Sequence, residues 1–383
     1  MPKFIPLPVP PVVEATRAFS HPAVAALPDG RWLFTGQRFL ESDCYGAPEA
    51  AWSPDGGRTW GEPAPIDALH SEPLNDGLQL GVADVRPFLS ADGKSIVVIG
   101  CDTVYTPHGN IAWDKQAPRP ARRVKASYYT VYDIAASAFG PRQMLRDPEV
   151  PEGHEWRITC AQVAFTPDGD WLFPCHFRLG DLIDHYGYQS PRFAVRTMQA
   201  RFVDGALRPV AWGNILRHDI GRGFIEPSLV QFHGKYYLTI RAEDGSAYVA
   251  VSDDGLHWPE PQPWAFDDGT PVKTDTTQQH WAVVGDRLYL AYTRDLGTNS
   301  HLMRFRAPIL LAEVNPDGGP CLVHATEADL FPRKPRDGKD GLLGNFHVCS
   351  LPDGTAVASD AYIYYQPGTS RSHCDVAITK IAP

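Results

Sequence analysis

Residues 53–60 read SPDGGRTW, and residues 252–258 read SDDGLHW. Both stretches place Ser, Asp, Gly and Trp in one order, and each is followed closely by Pro and Glu. Every part has a local physical reason. The aspartate accepts backbone N–H bonds within its own turn, the glycine takes a positive-φ position, and the tryptophan folds back as an apolar plug between strands. A chain that builds this turn twice is built from hairpins, and the carboxylates of Asp55 and Asp254 are committed to the turns.

Simpler turns of the same kind recur at Pro28-Asp29-Gly30, Ala91-Asp92-Gly93, Pro167-Asp168-Gly169, Pro316-Asp317-Gly318 and Pro352-Asp353-Gly354. Short apolar or aromatic runs flank most of them: RWLF (31–34), SIVVI (95–99), DWLF (170–173), KYYLTI (235–240) and RLYLAY (287–292). These read as strands. The best helical candidate is the short segment 178–185. No Ser/Gly linker or break in composition divides residues 1–383. The pattern predicts one all-β domain, a β-propeller, in which radial sheets leave only protected edges. Blades of roughly 40–65 residues give six blades, with seven also fitting the length. Two packed β-sandwiches are the competing arrangement.

With 383 residues, 43% hydrophobic, the chain can bury a large core. The net charge of −10 and the lack of a basic run argue against nucleic acid as a partner. Anion binding must then come from a few locally placed arginines. No apolar run is long enough to span a membrane, and the proline-rich N-terminus is not a secretory signal, so a cytoplasmic location is expected. Seven cysteines, an odd number without a CxxC pair, point to reduced thiols. No P-loop, strand-anchored GxGxxG, GxSxG elbow or metal-ligand spacing is present, so no cofactor and no metal are expected. Oligomeric state is left open.

SPDGGRTW matches the Asp box, Ser-x-Asp-x-Gly-x-Thr-Trp, and SDDGLHW fits its shorter variant. The chain thereby resembles the sialidase superfamily, whose Asp-box (BNR-repeat) propellers mostly have six blades. Phe34-Thr-Gly-Gln-Arg38, with Asp43 beyond it, is similar to a sialidase segment in which the Arg lines the site and the Asp is the acid/base. Glu226 and Arg241 resemble the family's central glutamate and first carboxylate-binding arginine. Arg306, in Arg306-Ala-Pro-Ile-Leu310, resembles another carboxylate-binding arginine. Two positions depart from the family. Where sialidases have Arg-Ile-Pro, this chain has Phe19-Ser-His-Pro22, so His21 replaces an arginine. Where they have the tyrosine nucleophile, it has Gly344-Asn-Phe-His347.

The candidate catalytic residues are therefore Asp43, Glu226, His21 and His347. Arg38, Arg241, Arg306, His280 and His176 are candidates for binding substrate. Arginine grips a carboxylate through a planar fork of donors, so the predicted substrate is an oligosaccharide or polysaccharide with an anionic sugar. Structural ion pairs are the alternative use of the same arginines. A sialidase-like exo-glycoside hydrolase would use Asp43 as acid, with Glu226 or His347 activating water or assisting a nucleophile. A polysaccharide lyase acting at a uronic acid would use histidine or tyrosine to remove a proton. A non-catalytic sugar-binding propeller is the third reading.

Overall fold

A computed structural model describes residues 1–11, 19–41, 43–110, 126–150, 154–178, 192–317, 319–365 and 373–383. Their strands form six antiparallel sheets of four or more strands, plus one two-stranded hairpin at 335–340. The six sheets follow one another in chain order as the blades of a β-propeller, the all-β architecture expected from the sequence. Among the described residues the only helical pieces are three-residue 3-10 turns. In the segment read as a short helix, Arg178 ends the strand Trp171–Arg178, and residues 179–185 lie outside the described residues. Gly318, of the turn at 316–318, also lies outside them.

Successive residues of a strand point to opposite faces of its sheet, and in a propeller both faces meet a neighbouring blade. This explains the unbroken apolar runs in the second strands. Leu33 joins the core between the first and second blades, whereas Phe34 joins the one between the sixth and first. Trp171 and Leu172 divide in the same way between the cores on either side of the third blade. Leu290 and Ala291 do so for the fifth. Six apolar clusters lie one at each blade interface, and a seventh joins Phe39, Ala83 and Ala361 of the first, second and sixth blades. Full burial of a large apolar side chain contributes roughly 1.5–3 kcal/mol, so the radial stack is held by many equivalent contacts.

The ring is closed by both ends of the chain. Lys3–Leu7 pairs antiparallel with His373–Ala382, from Lys3 opposite Ala382 to Leu7 opposite Ile378. The N-terminal strand is thus the outermost strand of the sixth blade, whose other strands are His347–Ser350, Ala356–Tyr364 and His373–Ala382.

The two Ser-Asp-Gly-Trp stretches are structural turns. Asp55 Oδ1 accepts the N–H groups of Arg58 (3.1 Å) and Thr59 (2.8 Å), and Ser53 Oγ accepts that of Gly57 (2.8 Å). Gly57 has φ +82, and a Cβ there would lie 2.7 Å from the Trp32 ring, so only glycine fits. Asp254 Oδ1 repeats the arrangement with Leu256 and His257, both at 2.8 Å. Trp258 is buried and donates its indole N–H to Thr197 Oγ1 (3.1 Å); Trp60 donates to the Pro8 carbonyl (3.0 Å).

Candidate active site

One position on each inner strand is turned toward the propeller axis. His21, Asp84, Cys160 and Asn345 each stand eight residues ahead of the aspartate in the turn that ends their strand, Asp29, Asp92, Asp168 and Asp353. Glu226 is the counterpart in the fourth blade, where pairing skips from Ile225–Arg241 to Ser228–Thr239. The same skip surrounds His21, between Ser20 and Ala23, and Asp84, between Ala83 and Arg86. These are bulges, and a bulge re-aims the side chain it carries. His21, Asp84, Cys160 and Glu226 all have left-handed backbone, with φ of 52°, 56°, 50° and 45°. Such positions cost roughly 1–3 kcal/mol each for a non-glycine residue, and they cluster at functional sites. Gln278, two residues ahead of His280, holds the corresponding place in the fifth blade.

Around this ring the first two blades are linked by chemistry. His21 Nε2 lies 2.8 Å from Asp84 Oδ1, and the other carboxylate oxygen accepts the Thr159 hydroxyl at 2.6 Å. Burial alone would raise the Asp84 pKa, but the His21 contact, the Thr159 bond and nearby Arg86 together hold it well below the usual carboxylate range. Nε2 faces the Asp84 carboxylate, so Nδ1 is the ring nitrogen on the far side of the imidazole. Nδ1 is buried and has no hydrogen-bond partner among the described residues. Tyr45 stands edge-on to the imidazole, with ring centroids 4.6 Å apart. Burial, then the charges of Asp43 and Asp84, push its phenol well above its ordinary value, so it stays protonated.

Cations gather on the opposite side of the ring. Arg241 Nη1 pairs with Glu226 Oε2 at 2.5 Å, and its Nε donates to Thr276 Oγ1 at 2.6 Å. Burial would raise the Glu226 pKa, but Arg241 and Arg222 bring it below the ordinary value. Glu155 accepts from Arg157 (2.7 Å) and Arg178 (2.8 Å), and Arg222 pairs with Glu243 at 2.6 Å. The Arg157 guanidinium is stabilised in its charged form against burial by Glu155 foremost, with Glu226 and Asp84 adding to it. His176 sits among these arginines and accepts the Glu226 backbone N–H at 3.3 Å. Burial and then the charges of Arg157, Arg222, Arg241 and Arg178 drive its pKa well below the histidine range, so it is a neutral support.

Two residues further along each inner strand lies a second ring: Ala23, Arg86, Gln162, Ser228, His280 and His347, all buried. Gln162 closes the channel. It donates to the carbonyls of Trp281 and Val348 (both 2.8 Å) and accepts from Ser228 Oγ (2.9 Å) and Trp281 N (2.6 Å). His280 and His347 thus belong to this plug, with ring centroids 5.9 Å apart. Burial, then the Arg86 charge, keeps both neutral.

The remaining candidates lie around the first ring. Asp43 follows the strand Trp32–Glu41 in a left-handed turn (φ 56°) and accepts the Asn110 amide through its backbone carbonyl. Arg38 is half-buried and pairs with Glu49. Arg306 packs against Gly344, where a Cβ would meet its Nε at 3.1 Å, and that buried Nε has no partner among the described residues. Of the residues singled out in the sequence, then, His21, Glu226, Arg241 and His176 converge on one face, while His280 and His347 lie deeper. Asp84, Thr159, Arg157, Arg222 and Tyr45 were not anticipated. For Asp84 a signal existed: its spacing to the Asp92 turn equals that of His21 to Asp29. Arg157 and Arg222 carry no such marker.

No family model matches the chain, and no curated protein does. Solved structures match nearly all of this chain at low identity. A protein of unknown function from Dyadobacter fermentans is 14% identical over 99% of this chain and 98% of its own, with a TM-score of 0.62. NanB sialidase from Streptococcus pneumoniae is 10% identical over 99% of this chain and 70% of its own (TM-score 0.65). Trypanosoma rangeli sialidase is 12% identical over 95% of this chain (TM-score 0.58), and the match spans only 55% of that longer protein. The fold is therefore a sialidase-type β-propeller. At such identities the likeness is one of architecture, and function has to be argued from the site.

Proposed function

We propose that this propeller cleaves a glycosidic bond beside a carboxylate-bearing sugar, and that it does so by β-elimination at a uronic acid. The observation that carries the reading is the His21–Asp84 pair facing a cluster of arginines. Both ring carboxylates, Asp84 and Glu226, are held ionised by neighbouring groups, so neither donates a proton near neutrality. The proton-handling groups at the ring are instead His21 and Tyr45.

In this reading Arg241, positioned by Glu226 and Thr276, and Arg157 draw charge onto the sugar carboxylate. That acidifies the adjacent C5 proton. The His21–Asp84 pair takes this proton, and Asp84 steadies the imidazolium that forms. The freed electron pair makes the C4–C5 double bond as the bond from C4 to the leaving oxygen breaks. The Tyr45 hydroxyl returns a proton to that oxygen. No water is added, so the product is an unsaturated uronide.

A hydrolase is the second reading, supported by the sialidase neighbours and by Asp43 near Tyr45. Here Asp43 would act as acid, and the product would gain water. Incubation with uronic-acid oligosaccharides and sialosides, read by mass and by near-ultraviolet absorbance, separates the two. An unsaturated product without added water supports elimination, and a hydrated, non-absorbing one overturns it in favour of hydrolysis.

A further inference from the structure

Blades five and six form the arc of the mouth that the reading above leaves unused. His21, Asp84 and Tyr45 stand on the first two blades, and Arg157 and Arg241 on the third and fourth. The inward positions of the remaining arc are Gln278 and Asn345. Gln278 is committed to the fold: its amide donates to the Phe346 carbonyl at 2.5 Å, and its oxygen is buried.

Asn345 is different. Between Leu342–Ile363 and His347–Ser359 the inner strand gains one residue, the same bulge that carries His21 and Glu226. Asn345 lies in that bulge, half-buried within a run from Leu343 to Val348 that is otherwise buried. Both faces of the sixth blade are packed against its neighbours, so the exposure of Asn345 opens onto the mouth. Its side-chain amide makes no hydrogen bond among the described residues, and neither polar atom is closed off from solvent.

The backbone behind this amide is held firmly. Arg86 donates to the carbonyls of both His21 and Asn345, each at 3.3 Å, which fixes Asn345 beside the imidazole. The preceding Gly344 N–H is bound by buried Asp360 at 2.8 Å. A free polar group on a locked backbone is preorganised for a ligand. A primary amide offers an acceptor and two donors, which suits two adjacent hydroxyls. In a uronate whose carboxylate, C5 proton and C4 oxygen are engaged by the other blades, the hydroxyls left are O2 and O3, a vicinal pair.

We infer that Asn345 is a specificity-determining residue whose amide holds O2 and O3 of the bound uronate, so that the substrate is a uronic-acid glycan unsubstituted at both positions. This rests on the proposal that the mouth binds a carboxylate-bearing sugar, and not on whether the bond breaks by elimination or by hydrolysis.

The test uses the full chain and calorimetry. The probes are methyl glucuronoside and methyl galacturonoside, each beside its 2-deoxy analogue, its 3-deoxy analogue and its 6-methyl ester. One hydrogen bond per hydroxyl predicts that a parent sugar binds up to tenfold tighter than either deoxy form. Asn345→Ala should bring the parent and both deoxy forms to one affinity. It should leave the fold intact by circular dichroism, because its side chain has no partner to lose. The ester reports separately on the arginines and should bind at least tenfold more weakly than the parent in both proteins. Equal binding of parent and deoxy forms by the unaltered protein overturns the inference, and weak ester binding in the same experiment would still uphold the anionic-sugar reading. A preference for the parent that survives Asn345→Ala also overturns it. No affinity for either parent overturns both.

Discussion

His21 and Asp84 occupy the same position in neighbouring blades, each in a left-handed bulge, and are joined by a 2.8 Å contact between imidazole and carboxylate. Neither residue is near the other in sequence. The propeller places them together because it repeats one strand geometry around an axis. His21→Gln should lower kcat on a uronic-acid oligosaccharide by on the order of 10²–10⁴, the usual contribution of a positioned base. Asp84→Asn should cost less and leave KM nearly unchanged, since it removes the group that orients the base. A loss of folded signal by circular dichroism in either variant would mean that the pair is mainly structural.

Arg241 should discriminate charge on the substrate. Arg241→Lys keeps the charge but loses the planar fork, so kcat/KM on a uronate should fall at least tenfold. The same variant should lose little on the corresponding methyl ester, which has no carboxylate to grip. Parallel loss on acid and ester would remove the carboxylate from the argument. Glu226→Gln should also destabilise the fold, because it leaves the buried Arg241 guanidinium without its charged partner.

Asp360 predicts a pH dependence of stability. Burial raises its carboxyl from 3.8 to about 7, against the N–H groups of Gly344 and Ala361, which it accepts at 2.8 and 2.7 Å. The folded protein therefore holds this proton more tightly than the unfolded chain. The stabilisation is complete below the unfolded pKa and is lost as pH rises through the folded one. Asp360→Asn removes that slope. The melting temperature of the variant, measured relative to the parent, should climb between pH 4 and pH 8. A flat difference would mean that Asp360 is ionised throughout.

The turn aspartates should matter for stability and not for turnover. Asp254→Ala removes bonds to Leu256 and His257 at the surface, and should lower stability by about 1 kcal/mol. Denaturant midpoints and activity, measured together, check both halves of the statement.

The blades were legible in the sequence because each is bracketed by local chemistry. Asp-Gly turns mark the ends of inner strands, and alternation within LeuPhe or TrpLeu pairs reflects burial on both faces. The site was legible only in part. His21, Glu226 and Arg241 stand in runs that resemble sialidase segments, so they could be picked out. His280 and His347 stand in equally suggestive runs, yet each sits two residues deeper than the ring that carries His21. A two-residue offset along an inner strand separates the open mouth from the plug, and only the bulge register fixes it. Arg157 ends the short strand Glu155–Arg157 and Arg222 lies just before the strand Ile225–Phe232, and no motif at either position announces them.

The pairing of Lys3 with Ala382 has a consequence for biosynthesis. Five blades are complete within the growing chain, but the sixth cannot gain its outer strand until residues 378–382 are made. The contact that seals the ring joins Lys3 to Ala382, and contacts of such separation form late. The first-ring residues come from every blade, so the mouth takes its final shape only when the circle shuts. Catalytic competence would then arrive as a single late event, and a chain truncated near its C-terminus would be left with both an open seam and an unassembled site.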